Sequence, residues 1–301
     1  MAIINAHVHM IELAAMARRF KGAALPRDVA VFKEVEASLP LLAPDRLVAQ
    51  MDEAGIARSI LYAVDAPIIY ASNEYVHELC SRRPDRFIGF ASVNPRRRGA
   101  AKVFERAVRT LGLRGLKLHP PLQDFAPHEK IAWPLYEKAV ELNVPVVFHV
   151  GTTPFGSMCR LAQANPILVD EVAVRFPRLR IMLTHLGTLW HNEAFMVAEK
   201  NPNVFIDTAA YLPEIRDILT PELVKRVGPG KFIFGTDYPM PYAGRTHRMK
   251  DFVGCLKKLG LPAATLRGIF HDNVQVLLSG RKATPQGMTM AEMFQKAARY
   301  T

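Results

Sequence analysis

The feature that most constrains this chain is one alternation repeated eight times: a short β-type run followed by a longer amphipathic segment. The runs span 3–9, 58–64, 87–93, 115–119, 144–150, 179–185, 204–208 and 231–237. Helices are predicted at 44–54, 72–83, 99–112, 129–142, 166–177, 189–200, 213–227 and 247–259. The runs are rich in β-branched and aromatic residues, and several helix starts carry Pro or a capping side chain, as at Pro44-Asp45, Ser72-Asn73 and Pro221-Glu222. Strands separated by helices pair in parallel, because a parallel connection must cross over the sheet. Eight such units predict a closed α/β (β/α)8 TIM barrel, with all 301 residues forming a single domain. An open doubly wound sheet is the competing arrangement, but no GxGxxG follows the first run, so a dinucleotide site has no support.

Two segments lie outside the count. The connection 10–43 is long, with a helix predicted at 11–20, and a connection of that length in a compact fold usually serves as a lid or substrate wall. Residues 262–279 form one further apolar helix, and 284–301 another.

In this architecture chemistry gathers where the strands end. Here the first run ends in His7 and His9, the fourth in Lys117 and His119, the fifth in His149, the sixth in His185, the seventh in Asp207 and the eighth in Asp237. Residues i and i+2 of a strand share a face, so His7 and His9 converge, and imidazoles converging beside a carboxylate commonly hold a divalent metal. The competing reading is histidines hydrogen-bonded on a half-buried strand. Core packing alone would disperse such groups, since unpaired polar atoms inside a barrel cost several kcal/mol. The alternation agrees: Ile233, Gly235 and Asp237 share one face and Phe232, Phe234 and Thr236 the other, while Lys117 and His119 face away from Leu116 and Leu118.

The motifs Asn5-Ala6-His7-Val8-His9, Gly115-Leu116-Lys117-Leu118-His119-Pro120, Val147-Phe148-His149, Thr184-His185-Leu186-Gly187 and Phe234-Gly235-Thr236-Asp237-Tyr238-Pro239 occur in this order, with His271-Asp272-Asn273 as a weaker match. As an ordered set they resemble the amidohydrolase superfamily, and within it the amidohydrolase-related family that includes aminocarboxymuconate-semialdehyde decarboxylase-like enzymes. The resemblance implies one divalent metal, zinc first and manganese next, held by His7, His9, His149 and Asp237, with His185 as acid/base or electrostatic partner. One departure is Asn5, where many relatives carry Asp; this position is expected to support the first ligand pair. A second metal bridged by carboxylated Lys117 is the minor alternative. Lys117 paired with a carboxylate or an acidic substrate is preferred, and His119 and Arg160 are further candidate substrate contacts. Asp207 reads as a structural hydrogen-bonded carboxylate.

The expected chemistry is hydrolysis of a small amide, ester or lactone by metal-activated water, with Asp237 shuttling the proton and His185 stabilising developing charge. The alternative is non-oxidative decarboxylation of an aromatic or muconate-type acid at the same site. A barrel that binds without turnover stands third, and the intact donor set argues against it.

Composition narrows partners and setting. The net charge of +11 comes with arginine clusters at 82–86 and 96–98. It reads as a solvated basic surface, with long-range attraction of a small anionic acid as the alternative the charge balance does not separate from it, and not as a nucleic-acid face, because no reading motif or aromatic interleaving accompanies it. No apolar run reaches the ~18 residues of a membrane span, and Cys80, Cys159 and Cys255 form no CxxC pair, so a cytoplasmic protein with reduced thiols is expected. A homodimer through exposed helices stays open.

Overall fold

The computed structural model describes residues 2–19, 21–22, 38–153, 155–239, 241, 247–280 and 295. The helix predicted at 284–301 and the middle of the 10–43 connection lie outside the described residues. Eight barrel strands follow the predicted runs: β1 (Ile3–His9), β2 (Ile56–Tyr62), β3 (Phe87–Phe90), β4 (Leu116–Leu118), β5 (Val146–Phe148), β6 (Ile181–Leu183), β7 (Val204–Asp207) and β8 (Phe232–Ile233). They pair in parallel as β1-β2-β3 and β4-β5-β6-β7-β8.

Both seams between these groups are bonded. The Lys117 N–H donates to the Ala91 carbonyl at 2.7 Å, and the Ala91 N–H donates to Gly115 at 2.8 Å. At the other seam the N–H of Ala6 donates to Phe234 and that of His9 to Tyr238, each at 2.8 Å. The sheet is therefore a closed barrel. The close approach of β8 to β1 depends on Gly235, where an added Cβ would stand 3.0 Å from the Cβ of His7 and 3.1 Å from that of Ala209.

The alternation of side chains sorts the core into two layers. Ile4, Ile60, Phe90, Val147, Met182, Phe205 and Ile233 pack together inside, and Val274 and Leu277 of the last helix join them. Leu61, Leu116, Leu118, Phe148, Ile181 and Phe232 face outward and pack with helix residues such as Leu47, Phe104 and Tyr136. The last helix (Asn273–Ser279) thus plugs the end where the strands begin, and the Arg180 guanidinium, just ahead of β6, holds it by donating to the Leu277 carbonyl at 2.7 Å. The opposite end is left for polar residues.

The helices follow the prediction with two breaks. The segment 213–227 divides into Leu212–Ile218 and Pro221–Val227, because Pro221 supplies no N–H and Thr220 caps the second piece by accepting from the Leu223 N–H at 3.2 Å. The segment 262–279 contains a π-helical turn, Gly268–Asp272, and behind it the Asn273 amide donates to the carbonyls of Phe232 at 2.7 Å and Pro229 at 2.9 Å. Within the 10–43 connection, Leu13–Arg19 is helical, as predicted for 11–20. Among the described residues no helix is long and apolar enough to cross a membrane.

Strand pairing stops short of the predicted ends. His149 follows β5 by one residue, whereas His185 and Asp237 lie two and four residues past β6 and β8. His185 and Asp237 take left-handed backbone conformations, φ +61° and +55°, which non-glycine residues adopt only where the surroundings hold them. The polar ends are turns built on the strands rather than extensions of them.

Candidate metal centre

β1 carries one extra residue against β2: Asn5 pairs with Ser59 and Val8 with Leu61. This bulge changes the parity of the strand, so that Ala6 packs with the inner layer and His7 also turns inward, its ring 4.9 Å from that of Tyr62. His7 and His9 still share a face, as the spacing predicts. Their Nε2 atoms lie 3.1 Å apart, and Asp237 Oδ1 lies 3.1 Å from the first and 3.3 Å from the second. Asn5 braces the arrangement by donating to Thr236 Oγ1 at 2.8 Å while its own oxygen accepts the His7 N–H at 3.2 Å. Asn5 thus ties together the two chain segments that carry His7 and Asp237.

Behind His7 stands Asp207, fully buried at the end of β7. Its Oδ2 is 2.6 Å from His7 Nδ1, and its Oδ1 accepts the N–H groups of His185 at 2.7 Å and Ala209 at 3.1 Å. His185 Nδ1 in turn meets the Ala209 carbonyl at 2.7 Å, and its Nε2 lies 3.2 Å from His149 Nδ1. His149 stacks on His119 with ring centres 3.8 Å apart, and its buried Nε2 has no hydrogen-bond partner among the described residues. Lys117 is 1% exposed, its ammonium 5.0 Å above the Tyr62 ring and likewise without a hydrogen-bond partner among the described residues.

The electrostatics follow from burial and from these neighbours. Burial would lower His7, but the facing carboxylates of Asp207 and Asp237 outweigh it against the opposing Lys117 charge, leaving His7 above its ordinary value. Burial takes His9 down to about 4, drives His119 and His149 well below the imidazole range, and lowers His185. Asp207 and Asp237, which burial alone would raise, are held low chiefly by His7, Asp237 far below the usual carboxylate range. Burial brings Lys117 down to about 8. At neutral pH the site therefore consists of two carboxylates, mostly neutral imidazoles and one buried cation.

This donor set fits a divalent metal. His7 Nε2, His9 Nε2 and Asp237 Oδ1 form a triangle of acceptor atoms with edges of 3.1–3.3 Å, which is repulsive unless protons or a cation lie within it. Ligands 2.0–2.1 Å from a tetrahedral centre are separated by about 3.3 Å. His7, His185 and Asp207 form a second close group, in which Asp207 Oδ2 already meets His7 Nδ1 and Oδ1 already accepts the N–H groups of His185 and Ala209. His149 is not part of this triangle and meets the cluster through His185, whose Nε2 lies 3.2 Å from its Nδ1.

The other sequence candidates separate clearly. His119 lines the cluster through its stack on His149, and Lys117 faces the interior, as the alternation requires. Arg160 is not drawn in: its guanidinium, 76% exposed, pairs with Asp124 at 3.4 Å. Four arginines of the two clusters are likewise tied up, Arg82 with Glu78, Arg83 with Asp45, Arg86 with Asp52 and Arg96 with Glu129. Two participants escaped the sequence reading. Tyr62, last residue of β2, donates its hydroxyl to the Ala6 carbonyl at 2.5 Å and forms the floor beneath His7 and Lys117. The Ala209 carbonyl carries no side-chain signal, although the position of Tyr62 at a strand end did.

A family model described as amidohydrolase matches residues 4–277. The chain belongs to this amidohydrolase family. Among curated proteins, the amidohydrolase barrel is similar to gamma-resorcylate decarboxylases from Polaromonas sp. (25% identical, 65% of this chain and 76% of that protein) and from Rhizobium radiobacter (26%, 63% and 74%). Solved structures share the fold. A 2,6-dihydroxybenzoate decarboxylase complexed with 2,6-dihydroxybenzoate superposes with a TM-score of 0.68 at 19% identity, over 92% of this chain and 99% of that one. A 5-carboxyvanillate decarboxylase from Novosphingobium aromaticivorans, complexed with manganese and 4-hydroxy-3-methoxy-5-nitrobenzoic acid, gives 0.69 at 18% identity, over 92% and 96%.

Proposed function

We propose that this amidohydrolase-family protein is a metal-dependent, non-oxidative decarboxylase of a hydroxylated aromatic carboxylic acid. Hydrolysis, placed first by the sequence, gives way because the curated relatives are decarboxylases. On this chain the reading is carried by the acceptor triangle of His7, His9 and Asp237 at 3.1–3.3 Å. With His149, whose buried Nε2 has no partner among the described residues, these residues would hold one divalent cation. Zinc and manganese both suit imidazole and carboxylate donors, and manganese accompanies a nitrobenzoic acid in the Novosphingobium relative. When bound, such an ion anchors anionic oxygens and stabilises charge that develops on them.

The remaining work falls to the chain's own residues. Decarboxylation needs a proton on the ring carbon that bears the carboxylate. The new C–H bond takes an electron pair from the ring; the C–C bond then breaks, returns its pair to the ring and releases carbon dioxide. Of the two groups nominated for proton handling, His185 has both ring nitrogens engaged within the protein, by Ala209 and His149. That leaves the Asp237 carboxylate, at the edge of the cluster, to take up a proton from water and pass it to the ring carbon. Lys117 beneath it adds a fixed positive charge favouring an anionic substrate.

The test is an assay of the manganese- or zinc-loaded protein on 2,6-dihydroxybenzoate and 5-carboxyvanillate in D2O, beside a panel of lactones and amides. Carbon dioxide release matched by a ring-deuterated product, and lost on chelation, is expected. Turnover of a lactone or amide without any carbon dioxide release would overturn the proposal.

A further inference from the structure

We infer that Asp207 is a positioning residue whose carboxylate sets the proton placement on three imidazoles, His7 directly and His185 and His149 in sequence behind it. The inference rests on the reading that the cluster holds a divalent metal. An ionised carboxylate only accepts hydrogen bonds, so Asp207 Oδ2, at 2.6 Å, requires the proton of neutral His7 on Nδ1. The Nε2 lone pair is thereby turned toward Asp237 and His9. The second oxygen grips the N–H of Ala209 at 3.1 Å and that of His185 at 2.7 Å. This fixes the turn whose Ala209 carbonyl faces His185 Nδ1 at 2.7 Å.

A carbonyl also only accepts, so His185 carries its proton on Nδ1 and leaves Nε2 bare. That bare nitrogen faces His149 Nδ1 at 3.2 Å, which must then be the donor. The chain of donors and acceptors ends at His149 Nε2, a buried lone pair with no partner among the described residues. One carboxylate, itself fully buried, thus leaves two imidazoles with ligand lone pairs presented and a third committed to holding one of them. Carboxylate and carbonyl partners commonly orient metal-binding histidines in this way. Here a single side chain serves residues from three different strands.

Asp207→Asn tests this with little change of shape. The amide oxygen can still accept from His185 and Ala209, but the amide nitrogen then meets His7 Nδ1 donor to donor, and His7 relieves the clash by moving its proton to Nε2. Two readouts separate this from a loss of packing. The first is long-range 1H–15N correlation of the metal-free protein at alkaline pH, assigned with His7→Gln and His149→Gln. Wild type should carry Nδ1–H on His7, His185 and His149, and the variant Nε2–H on His7. The second is chelator competition for Mn2+ and Zn2+, in which the variant should bind about 10–100-fold more weakly. Wild-type affinity in the variant, or Nε2–H on His7 of the wild type, would overturn the inference. The wild-type spectrum decides even if the variant fails to fold. Failure of the decarboxylase assay alone, with metal binding and proton placement as expected, would refute only the proposed reaction.

Discussion

Lys117→Met should make the metal-free protein more stable at neutral pH while impairing turnover. The side chain is buried (1% exposed), its ammonium has no hydrogen-bond partner among the described residues, and burial holds it at about 8 instead of the ordinary 10.5. At about 1.4 kcal/mol per pH unit, keeping it charged destabilises the fold by about 3 kcal/mol at pH 7. Methionine has a similar length and no charge, and gives up a cation–π contact with Tyr62 worth about 1 kcal/mol. A net gain of about 2 kcal/mol remains, or about 3 °C in Tm for a chain of this size.

The pH dependence gives the sharper signature. Below pH 8 both the folded and the unfolded chain carry the charged lysine, and the full penalty applies. Between pH 8 and 10.5 the folded lysine is neutral and the unfolded one still protonated, so wild-type stability relative to the variant rises with pH. Denaturant unfolding of both proteins at pH 7 and pH 10 measures this directly. A variant less stable than wild type at pH 7, or a difference that does not change between the two pH values, would refute the reasoning. Loss of turnover on an anionic substrate in a stabilised variant would identify Lys117 as a charge retained for function.

Further outcomes follow from the same geometry. His7 sits above its ordinary value without metal, so its protonated form stabilises the metal-free fold below about pH 6.5, an advantage lost as pH rises through the raised value. Metal must displace that proton, and titration calorimetry in buffers of different ionisation enthalpy should show proton release on binding and weaker affinity at lower pH; pH-independent affinity would contradict this. Gly235→Ala puts a methyl 3.0 Å from His7 Cβ and 3.1 Å from Ala209 Cβ, and should cost about 1–3 kcal/mol in unfolding experiments while weakening metal binding. Asn273→Ala leaves the Pro229 and Phe232 carbonyls without their donor and should cost about 1–3 kcal/mol with metal affinity unchanged. Asp237→Asn should fold normally and lose about 10²–10⁴-fold in turnover.

The barrel was legible in the sequence because its two layers demand different side chains at alternate positions. Leu116 and Leu118 against Lys117, or Phe232 and Phe234 against Ile233 and Gly235, already separate outside from inside. The donor residues were legible for the same reason, as polar groups recurring at the ends of independent strands. What the pattern does not carry is how those ends bend. His185 and Asp237 leave the strand direction through left-handed turns, and the His185 turn is held by a carboxylate 22 residues away. The bulge in β1 depends on its register with β2, which no local run of residues reveals. Asp207 looked structural from its strand-end context and is indeed hydrogen-bonded throughout, but its partners include the candidate site histidines His7 and His185. Arg160 was chosen for its place after β5, and the nearby Asp124 pulls it to the surface instead. The helix breaks at Thr220 and Gly268 reflect capping and carbonyl partners that become visible only in three dimensions.

An anomalous difference map from a crystal of the manganese-loaded protein probes the heart of this account. A single strong peak should lie among His7 Nε2, His9 Nε2, Asp237 Oδ1 and His149 Nε2. A map with no peak there, or with manganese bound only elsewhere, would contradict it.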